Sequence, residues 1–468
     1  MQIIAALQDA PAAPAQPLGA AAVLIFVVGP LAVVGWSRWV RPMNLALGFA
    51  STVAMWTLSY LAMMRPGLVA GELLFAGALA CVLAGGWLAG RRAPDEANGI
   101  SVGLVSATIN LIVVGAFLRD GQGGSPVRPL TYVVGLFACS ALLGLVGDAL
   151  GRRGAPGRPL PRPVTLLGAV ATANILVMIV LGGIVTSYEV GLAVPDWPNS
   201  FGHNMLLYPV SEMKGGVFYE HAHRLFGMLV GATTLAYAAV AFRARVPRAA
   251  RVLVCLLVAL VATQGVLGGL RVLATSTPMA IVHGMLGQCV FAVAVLSAFA
   301  CAGALDAVRG QAAGVRWMRW LPVAAFVALA MQLFLGASMR HLQVSPTADA
   351  GAKLPAWALH GHLTMALFAF VLVFMAGRRS AKSSDCRPIR FLGKGISHAV
   401  GLQLVLGIAA LVAVLVRRGV DVPWWEAAST TAHQALGALL LAMTGSLAVL
   451  AYRATLTGFN ASSSASRA

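Results

Sequence analysis

The sequence predicts an all-α polytopic membrane protein: two tandem four-helix bundles, eight spans related by a pseudo-twofold repeat, preceded by about five further transmembrane helices. Composition, the spacing of uncharged runs and the internal repeat predict it. Of 468 residues, 59% are hydrophobic and only 10% charged, with a mean hydropathy of +0.83; soluble domains carry about 25% charged residues. A water-soluble globular protein is thereby excluded. Nearly charge-free runs fall at about 18–37, 42–64, 67–90, 100–118, 129–147, 163–187, 217–242, 252–270, 279–304, 320–339, 355–377, 395–416 and 427–452. Each reaches the roughly 20 apolar residues that cross a bilayer as a helix, and a helix satisfies its own backbone hydrogen bonds in lipid.

Basic residues orient these thirteen spans. With the N-terminus outside, the inner connections hold 23 Lys and Arg and the outer ones nine, Arg224 alone lying inside a span. That imbalance is the positive-inside pattern, and it accounts for the net charge of +18 without a nucleic-acid partner. The C-terminus is then cytoplasmic. No positive segment precedes the first apolar run, so neither a cleaved signal peptide nor a transit peptide is expected. Arg outnumbers Lys 29 to 4, and the expected location is a bacterial inner membrane. The six cysteines (81, 139, 255, 289, 301 and 386) are scattered without a CxxC pair, which argues against a disulfide framework or a zinc site.

A basic, Pro-rich linker, Gly151–Pro163 (GRRGAPGRPLPRP), divides the chain. Residues 1–150 form a membrane region without a histidine; all nine histidines follow the linker. Residues 164–314 and 315–452 read as the first and second four-helix repeats, and 453–468 as a polar tail. MIVLGGIVTS (178–187) resembles MQLFLGASMR (331–340), and EHAHRLFGMLVG (220–231) resembles LHGHLTMALFAF (359–370). TQGVLGG (263–269) resembles LQLVLGI (402–408), and VHGMLGQ (282–288) resembles AHQALGA (432–438). His223 to Gln264 and His362 to Gln403 are both 41 residues apart. Repeated spans of this kind form sites between repeat elements.

The repeat sets His223 opposite His362 and His283 opposite His433. All four are expected four to seven residues past the outer start of a span, about 6–11 Å below the helix ends. Gly227, Gly287, Ala366 and Gly437 follow one turn later, on the same face, small enough to admit a flat macrocycle. A lone buried histidine is commonly a hydrogen-bonded packing group; four at equivalent positions are functional candidates. Paired imidazoles across a bundle suit haem iron, whereas copper or zinc would recruit Cys, Met or carboxylate. His221 and His223 lie about 200° apart on a helix, so they cannot share one iron, and the same separates His360 from His362. His221 and His360 are assigned to packing or the rim, and His203, His341 and His398 to loops or interfaces. Glu220 and Arg224 flank the first repeat's histidine where the second has Leu359 and Leu363. A carboxylate there serves chemistry on a bound substrate and is needless for electron transfer.

GGIVTSYEVGLAVPDWP (182–198), EHAHR (220–224), QGVLGG (264–269) and a single histidine on the next span together resemble the heme A synthase family, over about 163–452. The resemblance implies a membrane oxidoreductase that oxidises the C8 methyl of heme O to a formyl group by successive hydroxylations, giving heme A for cytochrome oxidase. By motif, Glu220, His223 and His283 would form the substrate-haem site, with Glu220 positioning water or relaying a proton. His362 and His433 would hold a cofactor haem b, and the loop with Pro195, Asp196 and Trp197 would cover the first site. The implied partners are heme O, its farnesyltransferase, an electron donor, membrane lipid and a second copy of the chain. The haem sites would lie toward the outer side.

The chain departs from the family pattern at two places. Many members carry a cysteine pair in the first outer loop; residues 188–216 have none, so no thiol step is available there. Thr186-Ser187-Tyr188-Glu189-Val190-Gly191 stands where members show Thr-Arg and a Gly-Ser-Gly-like stretch. Two other readings share the scaffold: a di-haem b-type, quinol-linked electron carrier, and a haem-binding assembly or transport protein.

Overall fold

The computed structural model describes residues 29–65, 69–117, 127–155, 157–312, 315–344, 353–383 and 385–456. Fourteen helices occur among them: α1 (Gly29–Trp39), α2 (Pro42–Met63), α3 (Gly71–Arg92), α4 (Gly99–Phe117), α5 (Val127–Arg152), α6 (Pro163–Ser187), α7 (Gly215–Arg243), α8 (Arg248–Ala274), α9 (Thr277–Cys301), α10 (Ala304–Ala307), α11 (Trp317–His341), α12 (Ala356–Ser383), α13 (Arg387–Val416) and α14 (Trp424–Thr455). Eleven are long and apolar enough to cross a membrane. The protein is an all-α, multi-pass membrane protein. Residues 18–28 of the first expected span and 457–468 of the expected tail lie outside the described residues.

The chain forms two compact units. The first comprises residues up to Asn174, Glu189–Arg243 and Gly265–Ser276; the second comprises Ile175–Tyr188, Ala244–Gln264 and everything from Thr277 on.

In the first unit, glycines let backbones touch. A Cβ on Gly86 of α3 would lie 2.2 Å from the Gly144 carbonyl of α5, and one on Gly144 would lie 2.1 Å from the Gly99 carbonyl of α4. Close approach through small residues replaces the hydrophobic drive that lipid cannot supply. Polar pairs add to it: Thr52 and Ser106 hydroxyls lie 3.0 Å apart, Trp56 Nε1 donates to Asn110 Oδ1 at 2.8 Å, and the Asn98 amide donates to Asn44 Oδ1 at 2.9 Å. Asp148, paired with Arg152 at 2.9 Å, accepts from the Gly99 amide and places negative charge at the α4 N-terminus, where the helix dipole favours it. α2 packs on α7: Trp56 meets Phe226 edge-on at 5.6 Å, and Tyr60 stacks on Phe218 at 5.5 Å. At the other end of α7, Arg243 donates to the Ser37 carbonyl of α1.

In the second unit, α11, α12, α13 and α14 close a four-helix ring, each packed on the next and α14 on α11, with α9 against α11 and α14. Leu367, Phe368, Val405 and Ile408 point outward, as lipid-facing side chains should. Gly183 of α6 sits against Thr431 and Gln434 of α14, and Ser187 Oγ lies 2.8 Å from Thr430 Oγ1.

Candidate functional site

In the first unit the site is built on α7. Glu220 and Arg224 stand four residues apart on one face, in ion pair at 2.7 Å, their side chains 5% and 8% exposed. Both also hold the preceding loop. Glu220 Oε2 accepts from the Val194 amide at 2.9 Å. Arg224 donates to the carbonyls of Asp196 (2.7 Å), Asn199 (3.0 Å) and Val194 (2.8 Å). Asp196 in turn accepts from the amides of Phe201 and Gly202, each at 2.7 Å. Those two residues adopt positive φ (50° and 75°) and close the short hairpin β1 (Asn199–Ser200) and β2 (His203–Asn204).

Trp197 fastens the loop to α8. A Cβ on Gly269 would lie 2.1 Å from the Trp197 indole, and one on Gly191 would lie 2.7 Å from the Arg271 guanidinium, so both glycines make room for a large neighbour. His221 is fully buried and packs as expected, with Nδ1 3.1 Å from Ser200 Oγ and its ring 4.9 Å from Tyr208. Burial, reinforced by the charge and hydrogen bond of Glu212 and the charge of Asp196, pushes the Tyr208 hydroxyl up to about 12.

The second unit brings His362 and His433 together, with ring centroids 6.4 Å apart and planes at 75°. The nitrogen-bearing edge of the His362 ring lies against Gly336 and Gln332, and that of His433 against Gly407 and Gln403, so the rings would have to turn to share a metal. Two neighbouring imidazoles are nonetheless a donor set that suits haem iron. Among the described residues no group of three His, Cys, Asp or Glu gathers. Glycines cradle both rings: a Cβ on Gly336 would lie 2.9 Å from His362 Cε1, and one on Gly407 would lie 2.9 Å from His433 Cε1. His223 belongs to the first unit and His283 to the second, so their pairing rests on the sequence repeat.

The four histidines lie six to nine residues inside their helices, about 9–14 Å at 1.5 Å per residue; His223, His283 and His433 are deeper than the hydropathy boundaries predict, and His362 lies one residue shallower. Three of these helices begin before their apolar runs do, as at Gly215 for α7 and after Pro423 for α14.

Three glutamines were not read as site residues. The Gln264 amide nitrogen lies 3.3 Å from His283 Nε2, Gln332's lies 3.2 Å from His362 Nε2, and Gln403's lies 3.1 Å from His433 Nδ1. The space beside Gly287 and Gly437 holds the Gln264 and Gln403 amides, each 3.1 Å from a built Cβ. A legible signal exists: each glutamine precedes a glycine by four residues (Gly268, Gly336, Gly407). Arg340, aligned by the repeat with Ser187, donates to the carbonyls of Thr186 (2.7 Å) and Ser187 (3.1 Å). A guanidinium thus stands at the end of α6, contributed by α11. Arg417 and Glu426 pair at 3.3 Å with side chains 1% exposed.

Residues 165–445, about three-fifths of the chain, match the family described as cytochrome oxidase assembly protein. Curated relatives include a heme A synthase of Methylorubrum populi, 33% identical over 171 residues (34% of this chain, 44% of the relative). One of Methylorubrum extorquens is 32% identical over 154 residues (30% and 39%), and one of Methylobacterium nodulans is 36% identical over 101 residues (21% and 27%). The matched stretches span less than half of these relatives' own length. The family match runs through all four spaced histidines and the loop ahead of the first, and the chain belongs to the COX15-CtaA family of cytochrome oxidase assembly proteins.

Proposed function

We propose that the protein is a heme A synthase-like oxidoreductase, converting the C8 methyl of heme O to a formyl group by successive hydroxylations. The observation that carries this reading is chemical asymmetry between two histidine settings. His362 and His433 have ring centroids 6.4 Å apart, with Leu359 and Leu363 flanking His362 in the sequence, a setting for a resident haem b. Glu220 and Arg224, beside His223, are buried and committed to a loop, a setting for a ligand that must enter and react. The proposed substrate ligands are His223 and His283, with Gly227, Gly287, Ala366 and Gly437 as the small residues that flank the four rings. The tandem arrangement of 164–314 and 315–452 is part of the proposal, with 1–150 as a separate membrane region.

When bound, haem iron supplies the redox chemistry that an unactivated methyl group demands. The chain's own residues orient and enclose. Arg224, Asp196 and Trp197 hold the loop closed and exclude water. Glu220 has about four lone-pair sites, of which the Val194 amide and Arg224 take two; the others can accept a water or a substrate hydroxyl and hold a proton beside the reacting carbon. The proposed location is a bacterial inner membrane, N-terminus outside, C-terminus cytoplasmic, haem sites toward the outer side. Heme O's farnesyltransferase, an electron donor and a second copy of the chain are the proposed partners.

The test is haem extraction and chromatography from a host that makes heme O but no heme A, with and without the chain. Heme A or its hydroxylated intermediate, appearing only with the chain, is the expected result. Haem b alone, in a host where a known synthase works, overturns it. The glutamine contact common to His283, His362 and His433 favours equivalent sites and hence the electron-carrier reading, which predicts that second result.

A further inference from the structure

The glutamine contacts bear on how the histidines are kept ready for a metal. A neutral imidazole has one donor and one acceptor nitrogen, and a ligand must present the acceptor. His362 Nδ1 lies 3.2 Å from the Gln332 backbone carbonyl; since a carbonyl only accepts, Nδ1 carries the hydrogen and Nε2 the lone pair. The Gln332 amide nitrogen faces that lone pair at 3.2 Å. One residue, through its backbone and its side chain, thus specifies the tautomer of the histidine on the next helix.

The side-chain contact recurs, on Nε2 of His283 and on Nδ1 of His433. The Gln264 and Gln403 amides donate to the carbonyls of His283 (2.9 Å) and His433 (3.1 Å) while lying against the rings of the same residues. Donation to a carbonyl identifies the nitrogen end of each amide. In all three glutamines Oε1 is buried without a hydrogen-bond partner among the described residues; the amide nitrogen makes its contacts to the ring in each case and also to the backbone carbonyl of His283 and His433. Three helices, α8, α11 and α13, each supply one glutamine to the histidine of the following helix.

We propose that Gln264, Gln332 and Gln403 are positioning residues. Each amide N–H donates to a ring nitrogen of its partner imidazole in the haem-free chain and fixes the orientation of the ring; that nitrogen would be open to iron only once the amide had moved aside. The proposal rests on the assignment of His362 and His433 as haem ligands. A donor on the ligating nitrogen competes with the metal for one lone pair, unlike a partner on the other ring nitrogen, which orients the ring and raises its basicity.

The experiment uses the full chain with Gln332→Leu and Gln403→Leu, which keep side-chain bulk and remove the donors, beside His362→Ala and His433→Ala. Haemin titration reads affinity, the low-spin spectrum reads ligation, and 15N spectra of histidine-labelled, haem-free protein read the tautomer. The expected result is roughly 3–10-fold tighter haemin binding in the leucine variants, the worth of one competing hydrogen bond, with altered ring 15N signals in the haem-free protein; at His362 the tautomer persists, because the Gln332 backbone carbonyl remains. A role in packing alone predicts leucine variants with wild-type spectra and affinity, and that result overturns the proposal while the alanine variants still lose haem. If the alanine variants bind haemin as the wild type does, the haem assignment fails and takes the proposal with it.

Discussion

Glu220 is the residue on which the two halves differ most, and its surroundings define what its loss should do. Removing one member of a buried ion pair strands the other, at a cost of roughly 3–5 kcal/mol. Glu220→Ala is expected to abolish product formation and loosen the loop, while the spectrum of haem b at His362 and His433 persists. Glu220→Gln still accepts from the Val194 amide but no longer pairs the Arg224 charge, so it should hold the loop better than alanine does while losing the chemistry; equal stability loss in both variants would mark Glu220 as structural. Tyr208 makes a separate prediction about pH. Its folded value is raised to about 12, so its contribution to stability is full below the ordinary tyrosine range, near 10, and fades as pH climbs through 12. A tyrosinate absorbance titration should show a late component that Tyr208→Phe removes.

At the scale of elements, the membrane replaces hydrophobic drive with close contact. Gly86 and Gly144 admit the backbones of neighbouring helices, and no side chain can yield there to make room. Gly144→Ala is expected to separate α4 from α5 and lower the melting temperature of the detergent-solubilised protein; an unchanged melt would show that the contact contributes nothing. The helices themselves were legible from hydropathy, because charge-free runs of spanning length leave a chain no other structure in lipid. Their starts were less so. α7 begins at Gly215 and α14 at Trp424, since helix ends are set by turn geometry and caps as much as by polarity, and His223 and His433 lie deeper in consequence.

For the whole molecule, the division of basic residues, 23 against nine, predicts orientation. A reporter active only in the cytoplasm, fused after Ala468, should work, and one fused ahead of Met1 should not; the opposite pair of results would invert the topology. Membrane class, the internal repeat and the four spaced histidines were determined by the sequence alone. Hydropathy is a local property, and a repeat is visible in the order of residues. The three glutamines, the reach of Arg340 to the end of α6 and the fastening of the loop by Glu220, Arg224 and Trp197 were decided only by tertiary structure. Each of those contacts joins residues distant in the chain, and its geometry depends on how closely two helices approach, which no single segment encodes.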